Sequence, residues 1–364
     1  MEKRMQSIRK KITLCIVLLG VCFVSGVVPA HSEDSGLQPG VKIPAFSLKD
    51  QDGNPQTLQS LSGPNGLLIL FNRSADWCPF CKSQLIDLET ARHNFEAKGI
   101  HIASITYDSP QVLKAFATRR NIHFSMLSDP GSAIIDAFGV RNHEAEATGF
   151  KAGIAVPNYF LIAPDGTIQK RYAETELLDR VTASYLYETL FGSGTAQPAT
   201  ASVLPATSHL GVTLTQSDVS AAPGARIRLT VQFTPEKGSH LYAPGAEAFG
   251  YHPIKITLDP SDLYRTNAPA YGSSAILEFA KLREKVPVFE TSTAITQDLW
   301  AIRSPKTNAQ FAEHPDLVVH GTLEYQVCTD TTCFAPEQKP VSWNLHVSPS
   351  DLDTTRVATD LQRK

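Results

Sequence analysis

Leu67-Leu68-Ile69-Leu70-Phe71 carries no polar residue, and soon after it the chain reads Trp77-Cys78-Pro79-Phe80-Cys81. A continuous apolar run of this length predicts a strand buried on both faces. From Pro79 to Lys98 the pattern predicts a helix, with Leu85, Leu88, Ala91 and Phe95 on one face and Gly99 as its stop. Cys78 therefore sits where a buried strand hands over to a helix. Thiol exchange needs a nucleophilic thiolate and a second thiol to resolve the mixed disulfide. Unpaired N–H groups and the dipole at a helix N-terminus favour negative charge, lowering a thiol pKa of about 8.5 into the range of roughly 3.5–7.5. Cys81, one turn inside, is the resolving thiol. Pro79 suits the first helical position. Trp77 and Phe80 offer an apolar wall to a partner's backbone, and Lys82 adds positive charge. Two blander readings compete. Zinc needs four ligands, and no His or second Cys pair lies nearby at ligand spacing. A structural bridge closing so short a loop adds little stability.

Strand and helix signals alternate outward from this motif, predicting a sheet covered by helices over residues 38–191. Ile100 to Tyr107 reads as a strand, Pro110 to Arg120 as a helix, and Tyr159 to Ala163 with Ile168 to Tyr172 as a hairpin. Leu177 to Phe191 reads as a closing helix. Asp76 is a candidate for proton transfer from Cys81 or for turn stabilisation. His101 and His123 read as structural, and Asp165-Gly166 as a turn.

The N-terminus predicts export. Lys3, Arg4, Arg9, Lys10 and Lys11 precede an apolar stretch from Ile12 to Val28, with small residues near Ala30 as a cleavage site. Residues 1–30 read as a signal peptide, which places the mature chain in the periplasm or cell envelope. No later apolar run is long enough to span a membrane. A formal net charge of −3 gives no electrostatic reason to expect nucleic acid or an anionic membrane as partner. Residues 192–207 read as a flexible linker. Residues 208–348 carry short alternating strands such as Arg226 to Phe233, predicting a β-sandwich, and 349–364 form a polar tail. This second region holds Cys328 and Cys333. Taken alone, they could be a hairpin staple or a second redox pair.

Two resemblances bear on these readings. Residues 40–175 resemble the redoxin group of the thioredoxin superfamily, which includes peroxiredoxin-like and TlpA-like proteins. The likeness rests on Gly40 to Gly53, Arg73 to Cys81, Ser128-Asp129-Pro130 and Val156-Pro157 to Gly166. It implies a thioredoxin-like α/β fold in which a cis-proline at the position of Pro157 faces the cysteines and docks substrate. A peroxiredoxin-type site would also need Pro-x-x-x-Thr/Ser-x-x-Cys. Counting back from Cys78 gives Phe71 and Ala75, and from Cys81 gives Ser74 and Cys78. The arginine that polarises peroxide in that group would fall near Pro157. Residues 208–348 resemble the N-terminal immunoglobulin-like domain of the disulfide reductase DsbD (the disulfide bond corrector family). That likeness rests on Tyr325-x-x-Cys328-x-Asp330-x-x-Cys333-x-x-Pro336 and on Lys285 to Glu290. It implies that Cys328 and Cys333 relay electrons, with Tyr325 beside them.

The sequence thus predicts a thioredoxin-like domain followed by an all-β immunoglobulin-like sandwich. The function read from it is thiol–disulfide exchange, on the reducing side, with no cofactor and no metal. The expected partners are protein disulfides, and either a transmembrane thiol reductase or the chain's own second domain. The alternatives are a peroxiredoxin-like peroxidase recycled by the β-domain, and a non-enzymatic interaction module with structural disulfides.

Overall fold

In chain order the first region carries β1 (Leu48–Lys49), β2 (Pro55–Gln56), α1 (Leu58–Leu61), β3 (Gly66–Phe71), α2 (Pro79–Ala97), β4 (Ile100–Thr106), α3 (Pro110–Arg120), β5 (Ser125–Ser128), α4 (Ala133–Ala137), β6 (Asn158–Ile162), β7 (Ile168–Ala173), β8 (Arg180–Val181) and α5 (Ala183–Phe191). The computed structural model describes residues 36–145, 148–173, 180–192, 202–203, 209–279, 283–329 and 331–349. The expected signal peptide, most of the expected linker and the tail beyond Pro349 lie outside the described residues.

Seven strands form one sheet in the order β2-β1-β5-β4-β3-β6-β7. β3 lies at its heart, parallel to β4 and antiparallel to β6, and every residue of β3 is buried. Successive side chains of a strand point to opposite faces. Leu68 and Leu70 accordingly pack with Leu85, Leu88 and Phe95 of α2 and with Leu113 and Leu186. Leu67, Ile69 and Phe71 pack on the other face with Ile135, Phe138 and Phe160. Each fully buried apolar side chain of this kind contributes about 1.5–3 kcal/mol. Cores on both faces are why a strand with no polar alternation is stable here. Gly66 begins β3 at φ +127, and a Cβ there would lie 2.1 Å from the Ile162 carbonyl oxygen.

The second region carries β9 (Ser202–Val203), β10 (Leu210–Gln216), β11 (Ser220–Ala221), β12 (Ala225–Pro235), β13 (Ser239–Tyr242), β14 (Lys255–Leu258), β15 (Tyr264–Thr266), β16 (Ala270–Tyr271), β17 (Ala275–Phe279), β18 (Glu284–Phe289), β19 (Thr293–Ala301), α6 (Pro305–Glu313), β20 (Asp316–Tyr325), β21 (Val327–Thr329) and β22 (Glu337–Val347). It is β-rich. One sheet runs β15-β19-β12-β10-β9, with β16 also on β19. A second runs β11-β22-β20-β14, and a third runs β17-β18-β13-β21. The period-two residues Ile227, Leu229, Val231 and Phe233 of β12 share a core with Leu317, Val319 and Leu323 of β20 and Trp343 of β22.

Three local expectations change. Of the stretch read as a helix from Leu177, residues 177–179 lie outside the described residues, and α5 begins at Ala183, after Thr182, whose side chain accepts the Tyr185 N–H. Arg180 and Val181 instead pair in parallel with Ala225 and Arg226, so a strand of the first region joins the second region's sheet. The stretch read as linker contains β9, which pairs with β10. β20 is long for the short strands expected here, because unbroken pairing with β22 runs from Asp316 to Tyr325. The regions also join through side chains. Tyr185 Oη donates to Asp298 at 3.0 Å and accepts from Arg228 at 2.8 Å. Arg226 donates to Tyr172 Oη at 2.7 Å. Residues from Gly36 onward form one compact unit.

Candidate redox site

Cys78 is the N-cap of α2, and its Sγ accepts the Cys81 N–H at 3.2 Å. The two residues are joined as a disulfide with Cα atoms 5.3 Å apart, and both are fully buried. The Lys82 N–H donates to the Cys78 carbonyl at 3.0 Å, which sets the first helical turn. Reduction would leave the Cys78 sulfur at a helix N-terminus, where a thiolate is favoured. Lys82 and Asp76 are buried as well.

The loop delivering Cys78 is fixed by a residue the sequence did not point to. Asp108, just past the end of β4, is buried; it accepts the Ala75 N–H at 2.7 Å, the Ser74 hydroxyl at 2.9 Å and the Thr106 hydroxyl at 3.0 Å. Ser74 Oγ in turn accepts the Asp76 N–H at 3.0 Å. Burial pushes the Asp108 carboxyl up to about 6, against the lowering effect of those donors. Its only sequence signal is a carboxylate at the C-terminal end of a parallel strand beside β3. Trp77 is half-buried and donates its Nε1–H to Tyr107 Oη at 2.8 Å, and Tyr107 bonds to the Phe150 carbonyl. Phe150 stands edge-on to the Trp77 ring at 5.6 Å.

Pro157 is buried immediately before β6. Phe71 pairs with Asn158, so Pro157 shares the sheet end from which the Cys78 loop departs. The cis bond implied by the redoxin resemblance is not found there: every described peptide bond is trans. Asn72, beside Pro157 at this end, is fully buried, and neither its Oδ1 nor its Nδ2 has a hydrogen-bond partner. His101 contacts the Leu61 carbonyl and His123 contacts Glu89, the structural roles read for them. Asp165 accepts the Thr167 N–H at 2.9 Å, closing its turn.

The second cysteine pair is closed on itself in another sheet. Cys328 and Cys333 form a disulfide with Cα atoms 4.1 Å apart. Cys328 is fully buried on β21, whereas Cys333 is exposed. Tyr325 is buried at the end of β20, and its hydroxyl is 3.4 Å from Glu337. The hydroxyl beside the disulfide belongs to Tyr242, 3.6 Å from the Cys333 sulfur. Tyr242 stacks on Tyr251 at 4.4 Å, and β13 sets His240 opposite Cys328. Strand pairing between residues about ninety positions apart brings these groups together, which spacing in the sequence does not reveal. Among the described residues there is no group of three or more His, Cys, Asp and Glu able to hold a metal ion. Nor is any described helix long and apolar enough to cross a membrane.

A buried strand that delivers a Cys-x-x-Cys to a helix N-terminus, in a sheet with cores on both faces, defines a thioredoxin-like thiol domain. The chain belongs to the AhpC/TSA family, whose sequence model matches residues 39–171. A Mycobacterium tuberculosis protein provisionally named a peroxiredoxin is 30% identical over 132 residues, covering 36% of this chain and 82% of the relative. Peroxiredoxin Bcp of Escherichia coli strain K12 is 29% identical over 133 residues, covering 36% of this chain and 83% of the relative. The solved structure of peroxidoxin BcpB from Mycobacterium tuberculosis is 22% identical and covers 38% of this chain and 86% of that one, with a TM-score of 0.34. Family membership makes the chain a thiol-dependent oxidoreductase of the redoxin type. The family match ends at residue 171, ahead of α5 and the β-rich region.

Proposed function

We propose that the chain is a thiol–disulfide oxidoreductase in which Cys78 attacks a substrate disulfide and Cys81 resolves the mixed disulfide. The observation carrying this reading is the Cys78 sulfur at the N-cap of α2, bonded to Cys81 and receiving its N–H. Trp77 precedes Cys78 in the chain, and Pro157 lies at the sheet end from which the Cys78 loop departs. The reading includes a reducing direction and export to the periplasm or envelope, the latter supported by the basic and apolar pattern of residues 1–30. Cys328 and Cys333 act as a second redox pair in an immunoglobulin-like domain akin to that of DsbD, and exchange with Cys78/Cys81 or with a transmembrane thiol reductase. Exposure of Cys333 supports this role, since it leaves that sulfur accessible to a partner's thiolate.

Peroxide reduction is the second reading, and relatives named peroxiredoxins favour it. Against it, the Ser74 hydroxyl is committed to Asp108, and Phe71 and Ala75 stand where a peroxidatic pattern ending at Cys78 needs proline and a hydroxyl. A Cys81→Ser variant of the full chain tests the first reading. It should accumulate mixed disulfides on Cys78, and Cys78→Ser should abolish disulfide reduction. If Cys78→Ser loses peroxide consumption while the wild type reduces no disulfide, peroxidase chemistry replaces exchange. Inert cysteines after mild reduction would indicate structural bridges.

A further inference from the structure

Three guanidinium groups converge on one ring of the redox motif. Arg73, in the loop between β3 and α2, has its Cζ 5.8 Å from the centre of the Phe80 ring and 5.8 Å from that of Trp77. Arg180 of β8 stands 5.6 Å from the Phe80 ring. Arg303, from the loop between β19 and α6, stacks on the same ring at 3.6 Å. Phe80 belongs to the first turn of α2, two residues after Cys78, so the cluster surrounds a ring of the redox motif itself. Phe80 and Arg180 also line a cleft of about 660 Å³ at the junction of the two regions, which follows α2 through Gln84 and Asp87.

Nothing among the described residues balances two of these charges. Arg73 and Arg303 form no ion pair, and Nε of Arg73 and Nη1 of Arg303 are buried without a hydrogen-bond partner. A single aromatic ring returns about 0.5–2 kcal/mol to one cation, and three cations around it repel one another. Burial, Arg180 and Arg303 together bring Arg73 down to about 10. Two carboxyls of the described residues around this loop and helix have other partners. Asp108 holds the Ser74–Ala75 turn, and Asp87 accepts the Ala183 N–H. Arg73 and Arg303 are half-buried, and the planar guanidinium fork of each suits a carboxylate in particular.

We propose that Arg73, Arg180 and Arg303 form a carboxylate-recognition site beside Cys78, and that the preferred substrates are disulfides with a carboxylate close to the reacting sulfurs. The site deepens the thiol–disulfide reading and rests on it. It is complete only when both regions are docked, because Arg303 comes from the β-rich one. In the reaction the reduced Cys78 thiolate bonds to one substrate sulfur and breaks the substrate S–S bond, and the departing thiolate takes a proton from water. Cys81, deprotonated, then attacks the Cys78 sulfur and releases the second thiol. Two electrons pass from the cysteine pair to the substrate, and an external dithiol restores the pair. The carboxylate could belong to a small disulfide or to an acidic segment of a protein.

The test uses the full chain, reduced with dithiothreitol and desalted. Its oxidation is timed against dithiodipropionate (a dianion), hydroxyethyl disulfide (neutral), cystamine (a dication) and a cystine-bridged acidic peptide. The readout is the rate with each charged disulfide divided by the rate with the neutral one. In the wild type the anionic ratio should exceed the cationic one and fall as salt is added, because screening weakens exposed charge pairing. Arg303→Gln and Arg73→Gln should each lower the anionic ratio by about tenfold, the loss of one bond to a charged group. The salt series needs no variant, so it stands even if a substitution disturbs folding. A larger ratio for the acidic peptide than for dithiodipropionate assigns the carboxylate to protein substrates, and the reverse order assigns it to small disulfides. Ratios that ignore both salt and the substitutions, with the neutral disulfide still reduced, would overturn the site and leave the thiol reading intact. Failure of the wild type to reduce even the neutral disulfide would overturn both.

Discussion

Replacing Asp108 by Asn should change how stability depends on pH, and the size of the change follows from the burial of this carboxyl. In the folded chain Asp108 titrates at about 6, whereas an unfolded Asp titrates at about 3.9. Below about pH 3.9 the group is protonated in both states and contributes no pH dependence. Between that point and about pH 6 the unfolded chain has released the proton and the folded chain still holds it, so stability falls as pH rises. The loss is complete above the folded pKa. A displacement of about 2 units corresponds to ~3 kcal/mol. The amide of Asp108→Asn does not titrate, so the variant escapes this loss, although it gives up one of the acceptor oxygens now serving Ser74, Ala75 and Thr106. The stability of the variant minus that of the wild type should therefore climb by ~3 kcal/mol between pH 4 and pH 7. Taking the difference cancels every titrating group that does not interact with Asp108. Urea unfolding of the oxidised full chain, followed by circular dichroism at several pH values, measures it. A difference that stays flat, or that falls as pH rises, would show that Asp108 is not a buried, upshifted carboxyl beneath the Cys78 loop.

Three further outcomes are expected. Tyr185→Phe removes the bonds to Asp298 and from Arg228 that join the two regions, and should cost about 2–3 kcal/mol, seen as earlier proteolytic cleavage at the junction; an unchanged digestion pattern would argue against that contact. Gly66→Ala sets a Cβ against the Ile162 carbonyl at a φ of +127, and should lower the melting temperature by several degrees or more, at a cost of about 2–3 kcal/mol; a melting curve matching the wild type would refute the close approach. After mild reduction, an alkylating reagent should label exposed Cys333 well before buried Cys328, and equal labelling rates in peptide mass spectra would contradict the asymmetry.

The placement of Cys78 at the start of α2 was legible because it depends on neighbours in the chain. An unbroken apolar run, a short loop and a helical face of Leu85, Leu88 and Phe95 are local patterns, and they give β3, Cys78 and α2 in that order. The alternation in β12 and the hairpin of β6 and β7 were legible for the same reason. The pieces that went unread depend on partners far away in sequence. Arg180 and Val181, within the stretch read as a helix, form β8 because Ala225 and Arg226 supply strand pairing that no local pattern announces. Tyr242 meets Cys333 only through strand pairing, and Tyr325, three residues before Cys328, turns its hydroxyl to Glu337. Asp108 reads as an ordinary acidic residue until the parallel pairing of β3 with β4 sets it beneath the Ser74–Ala75 turn.

The sequence by itself determined the reactive pair, its helix and the sheet strand that carries it, since covalent spacing and side-chain periodicity act over a few residues. Only the tertiary structure decided the electrostatic surroundings of that pair. The potential at one point depends on every nearby charge regardless of its place in the chain, and the Phe80 ring of the motif gathers Arg73, Arg180 and Arg303 from a loop, a shared strand and a second region of the protein.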